Sequence, residues 1–340
     1  MRKLLNTVYV TNELSYLYLD GENLVCKVEN EIKLRIPFIN IENIVCFNYL
    51  GCSPALMGKC VENHIPINFI SPSGKFLAKI YGETKGNVFL RVQQIDKFRE
   101  NSLLLTQNTM ATKFSNTIYL IKRTLHDNSY LRDDKEIISV INTLSLKIEQ
   151  VYYAKSIQEI IGIEGNCAKL YFSIFNKLIT NKKSNFKFEY RTKRPPLDPV
   201  NAMLSFVYTL ATNEFAASLE TVGLDSYIGF CHTLKSGRVS LACDILEEYR
   251  CVIERFVLTL INLKIISEKD FDFQISGAVL LNNEGRKKVL TKWQEKKRSE
   301  ILHPYLKQKI SFGLIPYVQS NLLAKYIRGD ILEYPCFLMK

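Results

Sequence analysis

The 340-residue chain lacks any apolar run near the eighteen or so residues that a membrane span needs, which argues against an integral membrane protein. Its opening, "MRKLLNTVYVTNEL", is broken by Asn6, Asn12 and Glu13 and makes a poor signal peptide. A C-x-x-C pair is also missing. The nine cysteines are odd in number and irregular in spacing, which argues against a disulfide framework and against a zinc ribbon. They read as reduced thiols of a cytoplasmic protein, mostly small core residues. No internal repeat and no low-complexity tract is present. Acid is in short supply: 34 Asp and Glu stand against 45 Lys and Arg, for a formal charge of +11. Residues 1–85 hold nine basic and eight acidic side chains, so nearly all of the surplus falls in 86–340. A surplus placed that way suits a polyanionic partner, with nucleic acid ahead of membrane, although a soluble protein can also simply be basic.

What is present organises into two parts, as a chain of this length leads one to expect. "SYLYL" (15–19) and "LVCKV" (24–28) flank "DGEN", whose Asp-Gly favours a tight hairpin. "IKLRI" (32–36) alternates apolar and charged residues, the pattern of a half-buried strand. Ser53 as cap and Pro54 at the first turn predict a short helix over 53–64. "IPINFI" (65–70) and "KFLAKIYG" (75–82) predict two more strands around the turn "SPSG" (71–74). The polar, glycine-bearing "GETKGN" (82–87) reads as a hinge, and beyond it helical spacing replaces strand signals. The expected fold class is therefore α+β: a small N-terminal β domain over 1–84, then a larger, mostly α-helical domain over 85–340.

Three stretches of the helical part carry candidate chemistry. "CHTLKSGRVSLACDILEE" (231–248) places one of only four histidines ahead of Asp244, Glu247 and Glu248, with Lys235 and Arg238 between. In a helix over 238–263, Ile245, Tyr249, Val252, Ile253, Phe256 and Leu260 share one face and the three acids the other. Those acids are either a solvated face or ligands of a divalent cation, since imidazole with carboxylates suits Mn²⁺ or Mg²⁺. Glu248 reads as a solvated or supporting group. In "GIEGNCAKLYFSIFNKLI" (162–179), Glu164 sits between two glycines at an expected helix start, where it is either a dipole-favoured residue or a metal carboxylate. In "RTKRPPLDPVNAMLSFVYTL" (191–210), Pro195 and Pro196 stop any helix and Asp198 caps a new one, with Pro199 at its first turn. Arg191, Lys193 and Arg194 just before it suit a phosphate or a solvated loop. His64, His126 and His303 have no ligand-like setting and read as structural. "RKKVLTKWQEKKR" (286–298) suits either a DNA backbone or an exposed helix face. Cys167, Cys231, Cys243 and Cys251 each lie within four residues of a proposed ligand. They are either buried packing residues or thiols bordering the site.

"EGNCAKLYF", "RPPLDPVNAMLSFVYTL" and "GLDSYIGFCHTLKSGRVSLACDILEEYR", in this order, resemble the CRISPR-associated spacer-acquisition integrase family over nearly the whole chain. The tail "YIRGDILEYPCFLMK" resembles the type I-C branch. The resemblance implies metal-dependent joining of a DNA 3′ hydroxyl to a phosphodiester of the CRISPR array, with endonuclease activity when water attacks instead. It implies catalytic metal ligands at Glu164, His232 and Glu247, with Asp244 an adjacent acidic catalytic partner, and Mg²⁺ or Mn²⁺ as cofactor. Many members place aspartate where this chain has Glu247, so the sequence leaves open whether Asp244 or Glu247 reaches the ion. Arg191, Arg194, Lys235 and Arg238 are the cations offered to DNA. The implied partners are double-stranded DNA, a second copy of the chain paired through the β domain, a small ferredoxin-like CRISPR adaptation partner and an iron–sulfur end-trimming nuclease. The competing reading is a non-catalytic nucleic-acid scaffold of the same fold; a basic helical adaptor that binds no nucleic acid is more distant.

Overall fold

The structure, a computed structural model, describes residues 7–47, 50–71, 76–82, 88–181, 186–232 and 235–339. Positions 83–87 of the expected hinge and 72–74 of the expected turn lie outside them. The chain divides into two compact units, one of residues 1–84 with 266–299 and the other of 85–265 with 300–340. The early boundary falls within the expected hinge, whereas 266–299, read from sequence as part of the helical region, groups with the first unit.

In the first unit, β1 (Thr7–Val10), β2 (Ser15–Asp20), β3 (Asn23–Val28), β4 (Glu31–Pro37) and β5 (Asn43–Cys46) precede α1 (Pro54–Glu62), β6 (Ile67–Ile70) and β7 (Phe76–Ile80). Strands β2, β3 and β4 form an antiparallel sheet whose first hairpin closes at Asp20 and Asn23, where Asp-Gly was read as the turn. A mixed sheet runs β1-β5-β6-β7. Ser53 Oγ accepts the Leu56 N–H at 3.2 Å and caps α1. Leu17, Leu24, Ile44, Leu56, Cys60 and Ile67 are fully buried members of this unit's core. The outer strand β4 departs from the half-buried pattern: Ile32 is 55% exposed and Leu34 39%. Later in the chain, β8 (Phe271–Phe273) and β9 (Val279–Leu281) form a hairpin before α7 (Asn283–Arg298), where strand signals had seemed to end. Helix α7 is the basic "RKKVLTKWQEKKR" stretch. Trp293, Arg286 and Lys297 on it are buried, while Lys287, Lys288 and Arg298 are exposed.

The second unit is helical. Its long helices are α2 (Val88–Asp127), α3 (Lys135–Tyr153), α4 (Ile157–Ile174), α5 (Pro199–Thr221), α6 (Ser240–Asn262) and α8 (Ile315–Arg328). The short hairpin β10 (Glu300–Leu302) and β11 (Lys309–Ser311) precedes α8. Asp198 caps α5 by accepting the Asn201 N–H at 2.8 Å, with Pro199 in the first turn as its fixed φ favours. Helix α6 packs against α2 and α5 and is buried nearly all round. Its apolar face is as expected, but Asp244, Glu247, Glu248 and Glu254 are buried too. A solvated acidic face is thereby excluded, and four desolvated carboxylates on one helix each require a partner.

Candidate metal centre

Helix α6 presents Asp244 to the loop 222–239. This fully buried carboxylate accepts the backbone N–H groups of Phe230 (2.7 Å), Cys231 (3.0 Å) and His232 (3.0 Å). Its Oδ1 also meets His232 Nδ1 at 2.5 Å. With Nδ1 held by a carboxylate, Nε2 is the nitrogen left to face a ligand. The loop approaches so closely at Gly229 that a Cβ there would lie 2.4 Å from Asp244 Oδ2 and 2.9 Å from the Ser240 backbone. Only glycine fits. Helix α2 holds the same loop from the other side. Buried Gln94 donates to the carbonyls of Asp225 and Ile228, each at 2.9 Å, and accepts the Asp225 N–H, also at 2.9 Å. Phe98 packs edge-on against Phe230, 5.5 Å between centroids. Gln94 and Gly229 escaped sequence reasoning, because a lone amide in a helix and a lone glycine in a loop show nothing until the two segments meet.

One turn along α6, Glu247 meets two cations. Arg250 NH2 donates to Oε1 at 2.7 Å. Lys113 Nζ and Arg250 Nε each stand 2.7 Å from Oε2, so this buried oxygen is ion-paired with two cations. Burial alone would raise the Glu247 pKa. The fields of Arg250 and Lys113 outweigh it and hold the group at about 2. Arg250 is set in turn by the Tyr208 ring, 5.1 Å below its guanidinium, and Tyr208 donates to buried Glu254 at 2.6 Å.

Glu164 projects from α4 onto the same ammonium, with Lys113 Nζ 2.5 Å from its Oε1. It does not begin a helix, as the sequence suggested. Ser156 caps α4, and Glu164 lies two turns inside it, so no helix-dipole argument applies. Space is open beside Gly165, where a Cβ would meet nothing within 4 Å. Lys113, only 11% exposed, is the residue that sequence reading missed. Its signal was a lysine among the buried positions Met110, Phe114 and Thr117 of α2.

The structure thus brings Glu164 and Glu247 onto one ammonium, and His232 onto Asp244. Glu247 and His232 are close enough for the imidazole to bear on the carboxylate's titration. Among the described residues, the trio whose ligand atoms all fall within 4.8 Å is Cys231, His232 and Asp244. Its chemistry is poor for a hard dication: Asp244 is saturated by N–H donors, and burial pushes the Cys231 thiol up to about 12. Glu164, Glu247 and His232 Nε2 are the better donor set for a hard dication, two carboxylates that already attract cations and an imidazole nitrogen not held by Asp244.

The cations offered to DNA divide. Arg191 turns inward, donating to Asn201 Oδ1 at 2.7 Å and Ser205 Oγ at 3.1 Å over the Tyr208 ring. Arg194 and Lys235 are exposed. Lys235 opens a turn closed by the Arg238 N–H at 3.1 Å, with Gly237 at φ +75°, where glycine is favoured. Half-buried Arg238 donates to Ser240 Oγ at 3.2 Å. Lys193, offered from sequence to a phosphate or a solvated loop, is exposed. Partial desolvation and the charges of Arg250 and Arg191 lower its pKa, while Glu247 and Glu164 oppose them.

Glu248, adjacent to Glu247, is neither solvated nor near the cations. Tyr334 and the Phe337 N–H donate to it, fastening the C-terminal segment, and Asn116 bonds the same segment through the Phe337 carbonyl (2.8 Å) and the Met339 N–H (2.8 Å). His303 is fully buried against Gln319 and His126 is exposed beside Asp127, both structural settings.

Residues 8–295 match the family described as CRISPR associated protein Cas1. A CRISPR-associated endonuclease Cas1 from Chlorobaculum tepidum is 40% identical over 344 residues, covering all of both chains. A Cas4 exonuclease/Cas1 endonuclease fusion from Geobacter sulfurreducens is 30% identical over 98% of this chain and 60% of its own length. The structure of a CAS1 protein from Thermotoga maritima superposes with a TM-score of 0.81 at 24% identity, over 96% of this chain and 97% of the other, and shares the fold. The chain is a member of the Cas1 family of CRISPR-associated endonucleases.

Proposed function

We propose that this chain is a metal-dependent DNA integrase and endonuclease of CRISPR adaptation, with Glu164, His232 and Glu247 as ligands of one Mg²⁺ or Mn²⁺ ion. The supporting observation is that carboxylates from two helices meet at Lys113, while Asp244, on the same helix as Glu247, secures one nitrogen of the His232 imidazole. Bound there, such an ion would polarise the phosphoryl oxygen and lower the pKa of the attacking 3′ hydroxyl or water. Asp244 acts through His232: it fixes the ring and the tautomer, and by binding three N–H groups it sets the loop. Arg250 fixes Glu247 in one orientation. Lys193, Arg194, Lys235 and Arg238 meet the DNA backbone, and alignment with charge neutralisation is most of what phosphoryl transfer asks of a protein.

The wider assembly is proposed on family membership. Two copies pair through the β domain, a reading supported by exposed Ile32 and Leu34 on an outer strand. The dimer joins a small ferredoxin-like CRISPR adaptation partner on double-stranded DNA. An iron–sulfur end-trimming nuclease of the Cas4 kind completes the set, a reading favoured by the fused relative, and the subtype is I-C. No helix among the described residues is long and apolar enough to cross a membrane, in keeping with a cytoplasmic site of action.

A strand-joining assay with Mn²⁺ tests the assignment. Wild type joins a short duplex to a repeat-bearing target, while Glu164→Ala and His232→Ala fall to background. Joining by both variants at the wild-type rate would overturn the ligand assignment, and a wild type that binds DNA without joining it would favour the scaffold reading.

A further inference from the structure

Lys113 lies 2.5 Å from Glu164 and 2.7 Å from Glu247, carboxylates that α4 and α6 bring together from 83 positions apart. Lys113 comes from a third helix, α2, and its side chain is 11% exposed. Ion-paired at once to two carboxylates, it stands there as an ammonium. Arg250 places a second cation on Glu247. Asp244 adds a third carboxylate, already turned onto three backbone N–H groups. At Lys113 itself two carboxylates meet two cations, so that pairing is close to neutral.

We propose that Lys113 is a resident counter-cation of the metal centre, which balances Glu164 and Glu247 in the free protein and makes tight divalent-metal binding depend on a DNA phosphate. The inference rests on the ligand assignment proposed above. A dication entering a balanced cluster must face Lys113 and Arg250 at short range, and in a partly desolvated site that repulsion is poorly screened. A phosphodiester brings the missing negative charge and an oxygen ligand of its own. Coupling of this kind is reciprocal: metal and DNA each raise the other's affinity by the same factor. The centre would then load on its substrate rather than beforehand, which restrains stray hydrolysis.

Mn²⁺ binding to the full chain, followed by electron paramagnetic resonance of the free ion, tests this. Each titration is run with and without a duplex whose 3′ ends are dideoxy, so that nothing can join. Only binding lost in Glu164→Gln is counted. For wild type, that binding should tighten at least ~10-fold when DNA is added. Lys113→Met should bind at least ~10-fold tighter than wild type without DNA, and lose most of the DNA effect. Lys113→Arg should behave as wild type does. Wild-type affinity indifferent to DNA, or Lys113→Met binding no tighter than wild type, overturns the inference. The wild-type comparison decides it even if Lys113→Met fails to fold. Mn²⁺ binding unaffected by Glu164→Gln would instead overturn the ligand assignment, so the two failures are distinguishable.

Discussion

Glu247 and Glu248 are neighbours on one helix, both buried, with opposite electrostatics. Glu247 faces Lys113 and Arg250, which hold its pKa at about 2 against the cost of burial. Glu248 has neutral partners, Tyr334, Gln319 and the Phe337 N–H, and there burial prevails and raises its pKa to about 7. A buried carboxylate takes its role from the charge of its partners. The first is kept anionic and suited to a cation. The second anchors the C-terminal segment and changes its charge near neutral pH.

The widest separation should come from the paired amide substitutions. Glu247→Gln is expected to abolish strand joining, whereas Glu248→Gln, which keeps one of two accepting oxygens and lies away from Lys113 and Arg250, should retain joining within a few-fold. Equal loss in both would erase the distinction. Next in size is Asp244→Asn, which leaves an amide where His232 Nδ1 and three N–H groups converge. Joining should fall about 10–100-fold in a folded protein, checked by circular dichroism. Gly229→Ala should destabilise the helical unit by about 1–3 kcal/mol through the clash with Asp244 and Ser240, read from its denaturation midpoint.

The two glutamates also predict opposite pH dependences of stability. The folded pKa of Glu248 is raised from 4.5 to about 7, so its contribution is complete below 4.5 and fades as pH rises through about 7. The loss is of the order of 3 kcal/mol and should disappear in Glu248→Gln. The folded pKa of Glu247 is depressed, so its contribution holds above 4.5 and fades as pH falls through about 2. Thermal melts across pH 3–8 separate the two. The smallest effect concerns thiols. Cys167 and Cys243 are raised to about 11 and Cys231 to about 12, all chiefly by burial, so alkylating the native protein should leave joining unchanged. Inhibition would put a reactive thiol at the site.

Much of the fold could be read in advance wherever a short local rule governs it. Asp-Gly made the β2–β3 turn, Ser53-Pro54 opened α1 and Asp198-Pro199 opened α5. Local rules failed where distant segments decide the environment. Glu164 looked like a helix start because glycine flanks it, yet Ser156 had already capped α4. The acids of α6 were compatible with a solvated face, since periodicity does not reveal that other helices cover both sides. The family resemblance supplied Glu164, His232 and Glu247, but not how they are held. Lys113 is 51 residues from Glu164 and 134 from Glu247 in sequence, and no spacing rule links them. The alternation of β4 did predict a strand; its exposed Ile32 and Leu34 show that alternation does not specify what covers the apolar face.

The most direct measurement is anomalous diffraction from crystals of the full chain soaked in Mn²⁺ with a non-joinable DNA duplex. One peak at ligand distance, about 2 Å, from Glu164, Glu247 and His232 Nε2 is predicted, with Asp244 still on Nδ1. A peak ligated by Cys231 and Asp244 instead, or none near Glu164 and Glu247, would contradict the account.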